Sequence, residues 1–251
     1  MSSAKLKLVQ KLKLKKYRDE LKLFAAEGLR LCEMAADFQI EFGFYTAEFL
    51  KNERAEILIE KIKTCATLYE IPTATFEKIS DTKTPQGIML ILRQKTFSLE
   101  EVLQKNLIVA LDAVHDAGNL GTILRTAEAF NCGVIILEDS ADIFNSKVVR
   151  ASMGAIFYLP IIKMTRGEFL SEMKNANVEI LAAALDSTAE IYYNHAFKEK
   201  SAVIFGSEAQ GVSLEILNAA QKIYIPMTGC AESLNVATAA AIIISEIKRQ
   251  S

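Results

Sequence analysis

At 251 residues, with 51% hydrophobic and 24% charged side chains and a formal net charge of -2, the chain suits one large fold or two modules and excludes a fibre or a disordered tail. Cys32, Cys65, Cys132 and Cys230 show no CxxC spacing, and His115 and His195 are the only histidines; this disfavours a zinc cluster, and the apolar neighbours of each cysteine read as small buried thiols. The longest apolar stretch, Val236 to Ile244, falls short of the roughly 20 residues a bilayer requires, and the N-terminus lacks the apolar segment of a secretory signal, so a cytoplasmic protein is expected.

The small net charge hides an asymmetry. Residues 1–95 carry 17 Lys+Arg against 13 Asp+Glu, whereas residues 96–251 carry 12 against 18. The basic excess is densest in residues 1–30, with nine cationic and three anionic side chains, a candidate polyanion surface. Lys11, Lys13, Lys15, Lys16 and Arg18 are its centre.

In chain order, Val9 to about Arg18 reads as a short helix or an arm. Phe24 to Phe38 reads as a helix, because Leu29, Leu31, Met34, Ala35 and Phe38 recur at helical spacing. A strand follows at 42–46, an amphipathic helix at Glu53 to Leu68, a break at Pro72, and a buried strand at Gly87 to Arg93. The polar stretch 94–106, where the charge balance changes sign, suggests a boundary: residues 1–95 as one domain, 96–106 as linker and 107–251 as a second domain.

The second part alternates more regularly. Apolar strands are predicted at 107–114, 133–138, 157–162, 179–185, 202–206 and 222–227, with helices between most of them. Thr165 with Glu168 three residues on has the form of a capping box that starts one such helix. Near-continuous apolar strands separated by helices predict an α/β fold with a mostly parallel sheet covered on both faces.

Nucleotide fingerprints are missing from this framework. No two of the eleven glycines form GxG, so a pyrophosphate cradle of the dinucleotide type is disfavoured. Gly206 to Ser213 has the glycine separation of a phosphate-binding loop but places Val212 where its lysine must stand. There is no GxSxG elbow for a hydrolase.

Three other segments are chemically unusual. In 115–130 a strand ends in a glycine-flanked turn that enters a helix with Asn119 and Arg125; Asp116 or Asn119 acting only as a helix cap is the plainer alternative. In 202–217 a strand runs into a turn with Gly206, Glu208 and Gly211, and Ser213 as a simple N-cap would give much the same pattern. In 223–247 a strand closed by Pro226 leads through a polar loop bearing Glu232, Ser233 and Asn235 into a long helix. Capping explains Ser233 but not why the loop carries Glu232 and Asn235 as well.

Together the three resemble the ordered motifs of the SpoU (TrmH-type) family of SPOUT RNA methyltransferases: Asn119, Gly121 and Arg125; Gly206, Ser207, Glu208 and Gly211; then Ile225, Pro226, Met227, Glu232, Ser233, Leu234 and Asn235. The segment 145–161 is similar to the stretch the family carries between its first two motifs, and 15–20, 24–31 and 84–91 resemble its N-terminal substrate-binding domain. Ala117 and Ala209 depart from the family's usual proline and glycine, which touches loop shape and removes no polar catalytic group.

The resemblance implies a C-terminal domain with a deep trefoil knot, bound S-adenosylmethionine, a homodimer through the knot helices, and methylation of a ribose 2′-hydroxyl in structured RNA, with ribosomal RNA as the leading substrate and transfer RNA as an alternative. It implies Arg125, Asn119, Glu208, Ser233 and Asn235 as catalytic or substrate-holding residues and Gly206, Ile225, Met227 and Leu234 as cofactor contacts. Metal is not expected to take part. A non-catalytic RNA-binding protein of the same fold, or an enzyme that methylates a base or a protein side chain, are the rival readings.

Overall fold

The computed structural model describes residues 2–251, which fall into two compact units. The first contains the residues up to Lys95 together with Asp142–Phe157, and the second contains Thr96–Ala141 and Tyr158–Ser251.

The first unit starts with two helices, α1 (Ser2–Leu12) and α2 (Lys15–Leu21), separated at Leu14, whose backbone is extended. The stretch predicted as one helix from Phe24 divides instead. Leu23–Glu27 is strand β1, and only Leu29–Ala35 is helical (α3). Gly28 stands between them at φ +103°, a conformation that ends a strand and cannot continue a helix, and β1 is apolar on both faces. β2 (Ile40–Tyr45), α4 (Glu53–Lys63), β3 (Leu68–Glu70), α5 (Thr73–Ile79) and β4 (Ile88–Arg93) follow. The helix predicted to reach Leu68 ends at Lys63, because Leu68 is taken into β3. The four strands lie in the order β1-β4-β2-β3, with only the β2/β3 pair parallel. Val9, Leu12, Phe42, Phe44, Phe76 and Ile91 form a core beside this sheet.

In the second unit, the stretch read as a linker folds into α6 (Leu99–Leu103), started by a capping box of Ser98 and Glu101. Its Val102 is fully buried in a core with Ile108, Ile135 and Phe169. Strand β5 (Leu107–Asp112), helix α7 (Ala117–Ala129) and strand β6 (Gly133–Ile136) come next. The chain then crosses into the first unit, where it forms α8 (Ser146–Ala151), and returns for β7 (Ile161–Lys163). The strand expected from residue 157 therefore starts late: Ala155–Phe157 is a 3-10 turn, and Pro160, which has no N–H for a ladder, only accepts from Val134 N at 3.0 Å.

Helix α9 (Arg166–Asn175) starts with the capping box expected from Thr165 and Glu168. β8 (Glu179–Ala183), the short β9 (Glu190–Ile191), β10 (Ser201–Gly206), α10 (Leu214–Ala219), β11 (Gln221–Tyr224) and α11 (Val236–Gln250) complete the unit. The seven strands are all parallel, in the order β7-β6-β5-β10-β8-β11-β9. Beyond β5 the chain order reverses, and β10 lies between β5 and β8, two strands that both precede it in sequence. Parallel sheets of this kind leave a crevice at the carboxyl ends of the strands beside such a reversal.

Asp142–Phe157 is apolar where it enters the first unit. Ile143, Val148, Val149, Ile156 and Phe157 are buried there, the Phe24 ring lies 4.9 Å from that of Phe144, and the Phe38 ring lies 5.1 Å from that of Phe157. Cys32 and Cys132 are buried as expected, but Cys65 and Cys230 are exposed. Apolar neighbours in sequence did not translate into cover for these two: Cys65 follows the last turn of α4, and Cys230 lies in the polar loop before α11. Among the described residues no helix is long and apolar enough to cross a membrane.

Candidate active site at the carboxyl ends of the parallel strands

At the carboxyl ends of β8, β10 and β11 the second unit opens into a cleft of about 490 Å³. Its walls come from three turns: Ala183–Asp186 after β8, Gly206–Val212 after β10, and Tyr224–Val236 between β11 and α11. Cavities of roughly 300–1,000 Å³ with apolar walls and few polar groups are typical of small-molecule and cofactor sites.

Local backbone chemistry shapes the second wall. Ser207 and Gly211 exchange backbone hydrogen bonds, N to O at 3.1 Å and 2.9 Å, and Gln210 N donates to Ser207 Oγ at 3.1 Å. A Cβ on Gly206 would lie 2.0 Å from the Gly211 carbonyl carbon, so only glycine fits there, and Gly211 itself adopts φ +70°.

One polar residue from each of the three motifs meets the others at this cleft. Asn119 Nδ2 donates to Glu208 Oε1, and Asn235 Nδ2 donates to Asn119 Oδ1 at 2.9 Å. Asn119 is free for this because it is not the helix cap. Asp116 is, accepting from Asn119 N at 2.8 Å, which decides between the two candidates. Asn235 serves a second purpose, since its Oδ1 caps α11 by accepting from Ala237 N at 3.0 Å and Thr238 N at 3.3 Å. Ser233, for which the sequence offers helix capping as the plainer alternative, does not cap α11 and stands exposed on the lining of the cleft.

Gly206, Ile225, Met227 and Leu234 all line the cleft. Leu234 is 37% exposed and Leu185 61%, so the mouth presents apolar side chains that a ligand would cover. Arg125 stands apart from the lining, exposed on α7, about 9 Å along the helix axis from Asn119 at the usual rise per residue. Among the described residues its side chain has no hydrogen bond or ion pair.

Sequence reasoning missed the wall after β8. Asp186 accepts from the Thr188 hydroxyl and backbone N–H at 2.6 Å and 2.8 Å and pairs with Lys222 at 2.9 Å; these contacts hold its carboxyl well below the usual carboxylate range. An aspartate directly after an apolar strand was the available signal.

The five basic residues near the N-terminus do not share one environment. Lys11, Lys15 and Lys16 are exposed, with Lys11 Nζ 5.4 Å from the Tyr17 ring centroid. Lys13 is exposed but paired with Asp81 at 2.9 Å. Arg18 is buried, donates to Leu12 O and Lys13 O at 2.7 Å and 2.8 Å, and pairs with Asp142 at 2.7 Å. Its charge is neutralised inside the unit, which removes it from the candidate RNA surface.

Comparison with known proteins identifies the family of both parts of the chain. Residues 106–245 match the model of the SpoU rRNA Methylase family, and residues 3–90 match the MRM3-like substrate binding domain. The chain is 32% identical over 246 residues to the 23S rRNA (guanosine(2553)-2′-O)-methyltransferase RlmP of Bacillus subtilis, covering 97% of this chain and 96% of that one. The AdoMet-bound rRNA methyltransferase from Sinorhizobium meliloti superposes with a TM-score of 0.87 at 30% identity, over 99% of this chain and 95% of that one. An RNA 2′-O ribose methyltransferase structure superposes with a TM-score of 0.83 at 29% identity, over 98% of this chain and 95% of that one. The chain belongs to the SpoU rRNA methylase family.

Proposed function

We propose that this protein is an enzyme that methylates a ribose 2′-hydroxyl of ribosomal RNA with S-adenosylmethionine as methyl donor. The observation that carries this reading is the Glu208–Asn119–Asn235 chain of hydrogen bonds at the cleft, which joins one residue from each of the three motifs. The cleft suits the cofactor in size and in chemistry: apolar walls from Ile225, Met227 and Leu234, a glycine turn at Gly206 that lets the backbone come close, and the Glu208 carboxylate to face a cation. S-adenosylmethionine supplies a methyl group already activated by the positive sulfonium.

What remains for the protein is to place the hydroxyl and ease the loss of its proton. Arg125, exposed and uncommitted, is the group that orients the ribose by a backbone phosphate and stabilises the developing alkoxide. A guanidinium stays protonated, so its contribution is electrostatic rather than that of a base. Asn119, Glu208, Ser233 and Asn235 hold the reactants in line.

Residues 1–95 are assigned to RNA binding, with Lys11, Lys15 and Lys16 as phosphate contacts, and residues 107–251 to the methyltransferase domain. The position of β10 between β5 and β8 supports the family's deep trefoil knot. A homodimer through the knot helices and a cytoplasmic location complete the reading.

The test is to incubate the protein with ribosomal RNA and methyl-labelled S-adenosylmethionine, then digest to nucleosides. Label on a 2′-O-methyl nucleoside is expected. Label on a base, or cofactor binding without transfer, would replace this reading by one of its rivals.

A further inference from the structure

Asp112 belongs to none of the three motifs, yet it is among the most enclosed charges in the chain, 1% exposed at the last position of β5. Both carboxylate oxygens are engaged. Oδ1 accepts from Arg166 Nε at 2.8 Å and lies 2.8 Å from Nη2 of the same guanidinium, while Oδ2 accepts from Ser213 N at 2.8 Å. Arg166 is itself held by Glu138, through Oε2 at 3.1 Å, and by Asp139 at 3.4 Å. A buried carboxylate is tolerated only when each of its partners is in place, so this arrangement has little freedom to shift.

Its position gives it a consequence for the cleft. Gly206 is the β-ladder partner of Asp112, so the turn carrying Glu208 leaves the sheet beside this carboxylate and is fastened back to it at Ser213. Ser213 occupies the cap position of α10, but its hydroxyl makes no cap bond and Oγ is buried without a hydrogen-bond partner. The backbone N–H, not the side chain, is what holds this end of the turn.

We propose that Asp112, with Arg166 as its counter-ion, is a positioning residue of the methyltransferase site: by holding Ser213 N it fixes the Gly206–Val212 wall against which the cofactor binds and from which Glu208 reaches Asn119. The inference rests on the function proposed above. Asp112 touches neither reactant; it acts through the turn.

Two substitutions separate the backbone tie from everything else at Ser213. Its φ of -60° and ψ of 150° already suit proline, so Ser213→Pro deletes the N–H with little backbone change, whereas Ser213→Ala deletes only the unpartnered hydroxyl. Asp112→Asn keeps the shape and leaves one acceptor oxygen where two are needed. The full-length proteins are compared by calorimetric titration with S-adenosylmethionine, by thermal melting, and by kcat and KM for methyl transfer to ribosomal RNA. Ser213→Pro and Asp112→Asn are expected to melt cooperatively and to weaken cofactor affinity about tenfold, the loss of one charge-assisted hydrogen bond. Ser213→Ala should stay within about twofold of the parent on the same scale. KM for RNA should not move in any of them.

Wild-type affinity in both tie-breaking variants would overturn the proposal. So would loss of cooperative melting in both, which would make Asp112 a folding residue only; if one alone fails to fold, the other decides on the same affinity reading. Should the parent protein bind S-adenosylmethionine but leave ribosomal RNA unmethylated, the functional reading fails while the affinity comparison still decides the role of Asp112.

Discussion

Asn235 donates from Nδ2 to the side-chain oxygen of Asn119 at 2.9 Å, and Asn119 passes the chain on by donating from its own Nδ2 to Glu208. Each asparagine uses its amide as donor and its oxygen as acceptor, a polarity no other residue of similar size reproduces. Asn119→Asp would place a second carboxylate against Glu208 and remove the donor between them. We expect this isosteric change to lower kcat/KM for methyl transfer by about 100-fold or more, from like-charge repulsion and misplacement of the reactants. Steady-state kinetics on ribosomal RNA, with circular dichroism as a control for folding, checks it.

Asn235→Ala should damage two things at once. It breaks the link to Asn119 and also uncaps α11, whose first N–H groups at Ala237 and Thr238 depend on Asn235 Oδ1. Loss of an N-cap costs about 1 kcal/mol. We expect a lower melting temperature together with weaker cofactor binding, whereas Asn235→Ser, which can still cap, should recover the melting temperature and not the catalysis.

Arg125→Ala is expected to lower kcat by about 10²- to 10⁴-fold, the usual span for loss of one activating or charge-stabilising group, and to leave S-adenosylmethionine affinity unchanged because Arg125 stands off the cleft lining. Calorimetric titration beside single-turnover transfer separates the two effects. Unchanged turnover would remove Arg125 from the mechanism.

The basic N-terminal residues should divide by burial. Replacing Lys11, Lys15 and Lys16 by alanine should weaken RNA binding and make the slope of log affinity against log salt shallower by about 2 to 3, because each phosphate left unneutralised keeps its counterions. Arg18→Ala should behave differently. Its guanidinium and the Asp142 carboxylate are 5% and 6% exposed, so the change removes the cation that neutralises a buried carboxylate and costs stability on the order of 3–5 kcal/mol. Denaturant unfolding of the two variants shows the contrast.

Thiol chemistry should follow the same division. Cys65 and Cys230 are exposed and are expected to label within minutes, while burial pushes the Cys132 thiol up to about 12 and the Cys32 thiol higher still, so both should react only after unfolding. A raised thiol binds its proton more tightly in the folded state. The stabilisation is therefore fully present below the unfolded thiol value of about 8.5 and is lost as the pH rises from there towards 12. A melting temperature that falls over this alkaline window in the parent protein, and less so in Cys132→Ala, is the expected result.

Much of this protein is dictated locally and is legible in the sequence. Apolar runs separated by amphipathic segments require a parallel sheet with covered faces, and Thr165 with Glu168 starts α9 because both bonds of a capping box close within one turn. The three motifs could be found because each needs a glycine turn or a polar loop directly after a strand. Tertiary structure decided what depends on partners far along the chain. Phe24 to Glu27 is a strand because β4, more than sixty residues later, pairs with it, and Arg18 is buried because Asp142 meets it from another part of the sequence. Asp112 carries the same lesson for the site: periodicity marks it as the end of a strand, but only the insertion of β10 beside β5 brings Ser213 to its carboxylate. Local pattern reports which face of an element is apolar; which elements become neighbours is set by the order of the strands, and that order fixes the cleft.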